Sequence, residues 1–154
     1  MKPKILISCL DPRLDFTHKH GEEEVNPHEI VTRNALDIEV NLSGPNMEFH
    51  RFHFEEEAYT ENIILWWSDA RSSYIKKFAS QMTKRFPKHF FRIVSLNISN
   101  PTDMLEVQGA IRSKVSKLIP ASSSADFFLG PGYLLLQFSL LLLFHDRHKN
   151  THDF

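Results

Sequence analysis

A chain of 154 residues with a formal net charge of −1 is long enough for one domain with a real core. It lacks the excess of basic residues that drives binding to long nucleic acids. The single cysteine, Cys9, excludes an intrachain disulfide and, with no signal-peptide pattern in the first residues, predicts a cytoplasmic protein.

The first predicted element is a strand buried on both faces. Residues 4–10, KILISCL, form a nearly continuous apolar run, which is typical of a strand in a covered parallel sheet. Asp11 and Pro12 end it, because proline cannot donate into a strand ladder. Residues 14–45 show no sustained period and are interpreted as a long surface loop, within which 34–42 could form a helical turn or a short strand.

A helix is predicted to begin near Pro45, because the sequence Ser-Gly-Pro-Asn at 43–46 is typical of a helix start. Phe49, Phe52 and His53 recur at spacings of three and four residues and are predicted to form its buried face.

Two strands and a helix follow in alternation. The apolar runs 62–67, NIILWW, and 90–96, FFRIVSL, are predicted strands. Ser68 or Asp69 is expected to cap the helix between them. The inner face of that helix is predicted from its apolar spacing: Ile75, Phe78, Met82 and Phe86.

The next helix is predicted to begin at residues 100–103, Asn-Pro-Thr-Asp, with Asn100 as its cap. Its predicted inner face comprises Leu105, Gln108, Ile111, Val115 and Leu118. A last strand is predicted at 126–129. It leads through a Gly-Pro-Gly turn at 130–132 into an apolar helix.

The domain is predicted to span residues 1–144, with 145–154 as a polar tail. The apolar stretch 125–144 approaches the roughly 20 residues needed to cross a bilayer, but Asp126 and the turn at 130–132 interrupt it. We therefore expect no membrane contact, and a last helix that is buried or shared across a dimer interface.

Alternating helices and apolar strands predict an α/β fold, a Rossmann-like three-layer sandwich whose mainly parallel sheet has the order 3-2-1-4. In this order the first and fourth strands are neighbours, so the loop after Leu10 and the turn at 130–132 meet at the carboxyl ends of the strands. Such a turn offers backbone N–H groups to an anion. The plain alternative is a strand-to-helix turn without a ligand.

Other common chemistries find little support. The first strand is not followed by G-x-G-x-x-G, and no Walker Gly-Lys-Ser/Thr sequence occurs, which disfavours hydride transfer and nucleoside triphosphate hydrolysis. His50 with His53, or the histidines of 145–152, have spacings that a metal can use on a helix. No cysteine accompanies them, so neither a metal nor another cofactor is predicted.

Three segments resemble the CRISPR-associated Rossmann-fold (CARF) family: NIILWWSDA at 62–70, the RFP break after the second helix, and ADFFLGPGYLLLQFSL at 125–140. The resemblance is strongest to the amino-terminal sensor domain of sigma-54-dependent transcriptional regulators, including those of RNA-repair operons. The family pattern D-x-F-x-S-P-G-T-x-x-M-Q is matched at five positions: Asp126, Phe128, Pro131, Gly132 and Gln137. Gly130 stands where the family has Ser, Tyr133 where it has Thr, and Leu136 where it has Met.

The resemblance implies a homodimer, formed through the last helix, that binds a cyclic oligoadenylate or an RNA-derived nucleotide at the carboxyl ends of strands 1 and 4. It also implies control of a transcriptional regulator or another effector, fused or separate. The candidate ligand-binding residues are Ser8, Asp11, Arg13, Ser68, Arg71, Gly130, Pro131, Gly132, Tyr133 and Gln137. For the polar side chains among them, loop solvation or helix capping is the plain alternative.

Some members of the family also cut the cyclic ligand by placing a ribose 2′-OH in line with a phosphate. That chemistry needs orientation and hydrogen-bond donors but no metal. The alternative function is therefore a stand-alone ring nuclease, a metal-independent phosphodiesterase that degrades cyclic oligoadenylates. No catalytic residue is identified, so sensing without catalysis is preferred, and an interaction domain without a ligand is the third possibility.

Overall fold

The computed structural model describes residues 4–19, 24–27, 30, 37–54, 59–69 and 72–152, with side chains as far as residue 147. The elements in chain order are β1 (Lys4–Cys9), β2 (Phe16–His18), β3 (Ile38–Val40), α1 (Pro45–Phe52), β4 (Glu61–Trp66), α2 (Ser73–Arg85), β5 (Phe91–Ser95), α3 (Met104–Ala110), β6 (Ser124–Phe127) and α4 (Leu134–His152). A π-helical segment, Ile111–Val115, and a final turn, Ser116–Leu118, extend α3.

Four parallel strands form the central sheet, in the order β5-β4-β1-β6. The four predicted strands therefore have the predicted neighbours. Their numbers differ from the predicted 3-2-1-4 because the short strands β2 and β3 lie between the first and second predicted strands in the sequence. Residues such as Ile7 and Ile63 are fully buried at the centre of the sheet. Their burial follows from helices on both faces, so the predicted α/β sandwich is confirmed.

The helices occupy two layers. On one side α2 packs against β3 and β5, and on the other α3 and α4 contact each other. Right-handed crossovers require this division, because the chain moves from β1 to β5 in one direction and then returns past β1 to β6. The carboxyl ends of all four strands consequently meet at one edge of the sandwich.

The segment predicted as a long loop contains a second sheet. Phe16–His18 and Ile38–Val40 pair antiparallel, and both Phe16 and Ile38 are buried. The ring centroids of Phe16 and Phe78 are 6.0 Å apart, so the small sheet packs against α2 through this pair. The short strand that was one alternative for 34–42 is therefore confirmed as β3. The loop interpretation is wrong for β2, because a strand of three residues is too short to show a period.

Two predicted helix caps are wrong. The α2 cap is Ser72, whose hydroxyl accepts a hydrogen bond from Tyr74 N at 3.3 Å, and it lies beyond Ser68 and Asp69. Asp103 caps α3 by accepting from Leu105 N and Glu106 N. The side chain of Asn100 instead accepts from Thr102 N at 3.0 Å and forms a turn before the helix.

The buried helix faces were predicted with mixed success. Ile75, Phe78 and Met82 of α2 are buried as expected. In α1 the buried residues are instead Asn46, Met47 and His50, and Phe52 is 65% exposed. In α3 Leu105 is exposed and the buried positions are Val107, Ile111 and Val115.

The last strand and helix differ from prediction at their ends. β6 is two residues earlier than expected, and α4 continues through His152, across the residues predicted as a tail. Arg147 donates to the Ser123 carbonyl at 3.2 Å, and this bond holds the extension against the domain. In the described part of the chain, no helix combines the length and apolar character needed to cross a membrane.

Candidate functional site

Asp11 connects the two segments that strand order places side by side. One carboxylate oxygen, Oδ1, accepts hydrogen bonds from the Arg13 backbone N–H at 3.0 Å and lies 3.5 Å from its Nε. The other, Oδ2, accepts from the Gly132 backbone N–H at 3.2 Å. The loop after β1 and the Gly-Pro-Gly turn therefore meet, as the predicted sheet order requires, and a buried carboxylate joins them.

The Gly-Pro-Gly turn is held from within the chain. Gly132 has a φ of 102°, and a Cβ there would lie 2.8 Å from the Cβ of Cys9. The Gln137 side chain reaches back from α4 and donates to the carbonyls of Gly130 at 3.1 Å and Gly132 at 2.8 Å. Pro131 is buried in the same turn. Because Asp11 occupies the Gly132 N–H, that amide is not open to an external anion.

Tyr133 stands at the rim of this turn, partly buried, where its ring meets Trp67 edge-on with centroids 5.9 Å apart. Burial raises the pKa of the Tyr133 hydroxyl, the Arg13 charge lowers it, and the Asp11 charge raises it. The phenol is therefore a protonated hydrogen-bond donor at neutral pH. It belongs to the same electrostatic neighbourhood as Arg13.

Trp67, whose ring contacts that of Tyr133, has an indole N–H without a hydrogen-bond partner among the described residues. Its side chain is 5% exposed. The neighbouring Trp66 donates to the Asp69 carbonyl at 3.2 Å. A buried N–H without a partner is costly, so its presence beside the switch point is consistent with a group that arrives from outside.

The other predicted site residues are more dispersed. Ser8 is buried within β1. Ser68 follows β4, and its carbonyl accepts a hydrogen bond from the Ser95 hydroxyl. Arg71 lies outside the described residues. The structure thus brings Asp11, Arg13 and the residues 130–133 with Gln137 together at the ends of β1 and β6.

A second carboxylate, which the sequence analysis did not single out, supports this loop. The Oδ2 atom of Asp15 accepts from Asp11 N at 2.9 Å and from Asn46 Nδ2 at 2.8 Å, and its Oδ1 accepts from Asn46 N at 3.2 Å. Asn46 Nδ2 also donates to the Cys9 carbonyl at 2.9 Å. Asp15 therefore clamps the loop after β1 onto the start of α1. A Cβ at Gly44 would lie 2.9 Å from the Asp15 Oδ1 atom, so the approach requires glycine.

Burial dominates the electrostatics of this clamp. It raises the pKa of Asp15 to about 7, against hydrogen bonds from Asp11 N and Asn46 that lower it. Burial also raises the pKa of the Cys9 thiol to about 12, with the charges of Asp11 and Asp15 adding to the effect. Cys9 is thus a neutral packing residue rather than a nucleophile. The signal available in the sequence was the close spacing of Asp11 and Asp15 with a later Gly-Pro-Asn.

The histidines at the opposite end of the sheet form a buried pair. His50 Nδ1 lies 3.1 Å from His89 Nδ1, and the rings of Phe54, Phe86 and Phe91 surround them. Burial lowers the pKa of His50 to about 3, and the nearby His89 adds to the effect. Among the described residues, no three side chains of His, Cys, Asp or Glu gather closely enough to hold a metal ion.

Comparisons of the chain with protein-family models and with curated proteins found no match.

Proposed function

We propose that the chain is a ligand-sensing regulatory domain of the CARF type, which binds a cyclic oligoadenylate or an RNA-derived nucleotide at the carboxyl ends of β1 and β6. The observation that carries the proposal is the Asp11 carboxylate, which holds Arg13 on one oxygen and the Gly132 turn on the other. Open α/β sheets bind ligands where neighbouring strands lead to opposite faces, and β1 and β6 are such a pair.

The side chains at this position suit a phosphate. The Arg13 side chain is 46% exposed, and its terminal nitrogens have no partner among the described residues while its Nε faces Asp11. A guanidinium oriented in this way can donate two parallel hydrogen bonds to phosphate oxygens. The protonated hydroxyl of Tyr133 offers a further donor, and α4 begins at the next residue with the positive end of its dipole. In this proposal Arg13 and Tyr133 contact the phosphate, whereas Asp11 and Gln137 position the turn.

The proposal includes a homodimer through α4. Leu134, Phe138 and Leu141 recur at spacings of four and three along this helix and are 79%, 46% and 47% exposed. Leu105 of α3, the helix that contacts α4, is 82% exposed. An exposed apolar stripe of this kind favours burial against a second copy, which would bring two ligand sites close to a two-fold axis. The regulated effector would lie in another chain or in a further part of this one.

Calorimetric titration with cyclic oligoadenylates of several ring sizes and with linear oligoadenylates tests the proposal. We expect one of them to bind and the Arg13→Gln variant to bind it at least tenfold more weakly, because a charge-assisted bidentate contact is removed. Arg51→Gln serves as the matched control, since Arg51 pairs with Glu48 at 2.9 Å on α1, away from the turn. Equal loss in both variants would contradict the assigned role of Arg13.

The same samples discriminate between the alternatives. Chromatography of the ligand after incubation would reveal linear products if the chain were a ring nuclease, and intact ligand supports the sensor. Absence of binding to every cyclic and linear oligoadenylate would overturn the nucleotide proposal and favour an interaction domain.

A further inference from the structure

A cleft lies between the small β2–β3 sheet and α2. It encloses about 570 Å³, which falls within the range of ligand-binding sites, roughly 300–1,000 Å³. Its α2 wall is formed by Lys77, Ser80 and Gln81. None of these residues belongs to the proposed nucleotide site.

The cleft runs along the free edge of β3. Thr17 and Glu39 are directly opposite each other across the two strands, so their side chains share one face of the sheet. Ile38 and Val40 alternate with Glu39 and therefore point to the other face. Residues of both faces line the cleft. Because the consecutive residues 38–43 and three residues of α2 line the cleft, we place it along the edge of β3 that faces away from β2.

On the side that faces away from β2, the backbone of β3 has hydrogen-bonding groups without a partner among the described residues. Lys19 N donates to the Asp37 carbonyl at 2.7 Å, and Asn41 N donates to the Asp15 carbonyl at 2.9 Å. In an antiparallel pair, hydrogen-bonded and non-hydrogen-bonded residue pairs alternate. Glu39 lies two residues from both Asp37 and Asn41, so its N–H and C=O groups point toward β2 as theirs do. The N–H and C=O groups of Ile38 and Val40 consequently point away from β2. Within the described part of the chain they have no backbone partner.

Among the described residues that line the cleft, the charge is net positive: Lys19 and Lys77 are basic, and Glu39 alone is acidic. Glu39 lies on the outer face, whereas Lys77 lies on the α2 side. Its Nζ lies 5.6 Å from the centroid of the Tyr74 ring. An acidic group entering between β3 and α2 would therefore meet Lys77 and avoid Glu39.

We propose that this cleft is a docking site for an extended acidic peptide segment of a partner protein, which adds to β3 as a third strand and directs a carboxylate to Lys77. Exposed strand edges are templates for such pairing, in which backbone hydrogen bonds give affinity and side-chain contacts give specificity. The inference is independent of the nucleotide proposal, because it concerns a different surface and requires no ligand at the Asp11–Gly132 site.

The test uses the full chain and a five-residue peptide that alternates valine and glutamate. Amide hydrogen exchange, followed by NMR, should show slower exchange at Ile38 and Val40 when the peptide is bound. The amide of Glu39, which already faces β2, should change little. Lys77→Glu should weaken binding roughly tenfold, as expected for reversing a charge that faces the ligand. Lys76→Glu is the matched control, because Lys76 is exposed on the same helix but does not line the cleft.

Two N-methylated versions of the peptide provide a sharper control: one carries methyl groups on the backbone nitrogens of its odd-numbered residues, and the other on those of its even-numbered residues. Only one edge of an added strand faces β3, so methylation should abolish binding of one version and preserve that of the other. The proposal is overturned if the valine–glutamate peptide leaves the Ile38 and Val40 amides unchanged at millimolar concentration. It is equally overturned if both methylated peptides bind alike, if Lys76→Glu weakens binding as much as Lys77→Glu, or if a valine–lysine peptide binds as tightly.

Discussion

The Asp11 carboxylate accepts a hydrogen bond from the Gly132 backbone N–H at 3.2 Å, across 121 positions of sequence. This bond ties the edge strand β6 to the central strand β1 beyond the last ladder pair, Ile7 with Phe127. It also gives the Gly-Pro-Gly turn an internal anion. The Gly132 N–H, which could otherwise bind a phosphate, is therefore already paired. In the proposed site the donors left for a ligand are the side chains of Arg13 and Tyr133.

The first prediction concerns Gly132. Gly132→Ala should destabilise the fold by roughly 2–4 kcal/mol, because a side chain is strained at a φ of 102° and its Cβ would lie 2.8 Å from that of Cys9. Urea denaturation measures the change. Gly109→Ala is the control, since no atom lies within 4 Å of a Cβ at that exposed helical position. It should stabilise α3 by about 0.5–1 kcal/mol. Equal effects of the two substitutions would contradict the described turn.

The second prediction concerns the pH dependence of Asp15. Its pKa is about 7 in the folded state against an ordinary value of 3.8, so the folded state retains a proton that the unfolded state releases. The stability that comes from this group is fully present below pH 4 and is lost as the pH rises through 7. Asp15→Asn should remove that slope while weakening the clamp, because an amide hydrogen would face a donor of Asn46 or Asp11.

Thermal unfolding of the natural chain and of Asp15→Asn between pH 4.5 and 8 measures the pH dependence that we assign to Asp15. We expect Asp15→Asn to be less stable than the natural chain by about 1–3 kcal/mol at pH 5, the usual effect of an unmade buried hydrogen bond. The difference should narrow toward pH 8. A difference that is constant across this range would show that Asp15 does not titrate as inferred.

The third prediction concerns His50, whose contribution has the opposite sign. Burial lowers its pKa from 6.5 to about 3, so between these pH values the unfolded state binds a proton that the folded state does not bind. Stability is therefore lost as the pH falls below about 6.5. His50→Phe should reduce this loss, since a phenyl ring does not protonate and the neighbouring rings of Phe54, Phe86 and Phe91 are apolar. His53→Phe, at an exposed position of the same segment, is the control for introducing a phenyl ring and should change the stability little.

The two groups act against each other between pH 4 and 6.5, because acidification restores the Asp15 contribution while it removes that of His50. Each single variant should therefore have a steeper net pH dependence in this window than the natural chain. The chain with both substitutions should have a flatter dependence than either single variant. Failure of this pattern would mean that other groups dominate acid unfolding.

The central sheet could be predicted because its strands are buried on both faces. A run such as 4–10 has almost no polar position, and alternation with helices then restricts the strand order to very few choices. The small sheet could be predicted only in part. A short strand was one alternative for 34–42, but the three residues of β2 show no period, and the pairing of β2 with β3 leaves no signal in the sequence. Burial of Phe16 and Ile38 follows from tertiary packing on α2 rather than from any local pattern.

The helix faces show how a local signal can be displaced by tertiary contacts. Phe49, Phe52 and His53 have good helical spacing, yet α1 turns Met47 and His50 inward. Asn46 fixes this rotation, because its backbone and side chain are both bound by Asp15. The candidate site was likewise only partly foreseeable. Sheet order brings Asp11 to Gly132, but the occupation of the Gly132 amide by Asp11 depends on side-chain geometry that a single sequence does not reveal.

The last prediction concerns the exposed face of α4. Phe138 is 46% exposed, whereas Leu140, two residues later, is fully buried against the domain. Phe138→Glu should therefore weaken self-association at least tenfold with little change in stability, because it places a charge at the centre of the proposed interface. Leu140→Glu should instead unfold the domain, because a carboxylate would replace a buried apolar side chain.

Sedimentation velocity and thermal unfolding of Phe138→Glu and Leu140→Glu distinguish the two effects. Lys117→Glu, at an exposed position at the far end of the α3 extension, is the control for surface charge. A natural chain that sediments as a monomer at every concentration, unaltered by Phe138→Glu, would exclude the α4 dimer.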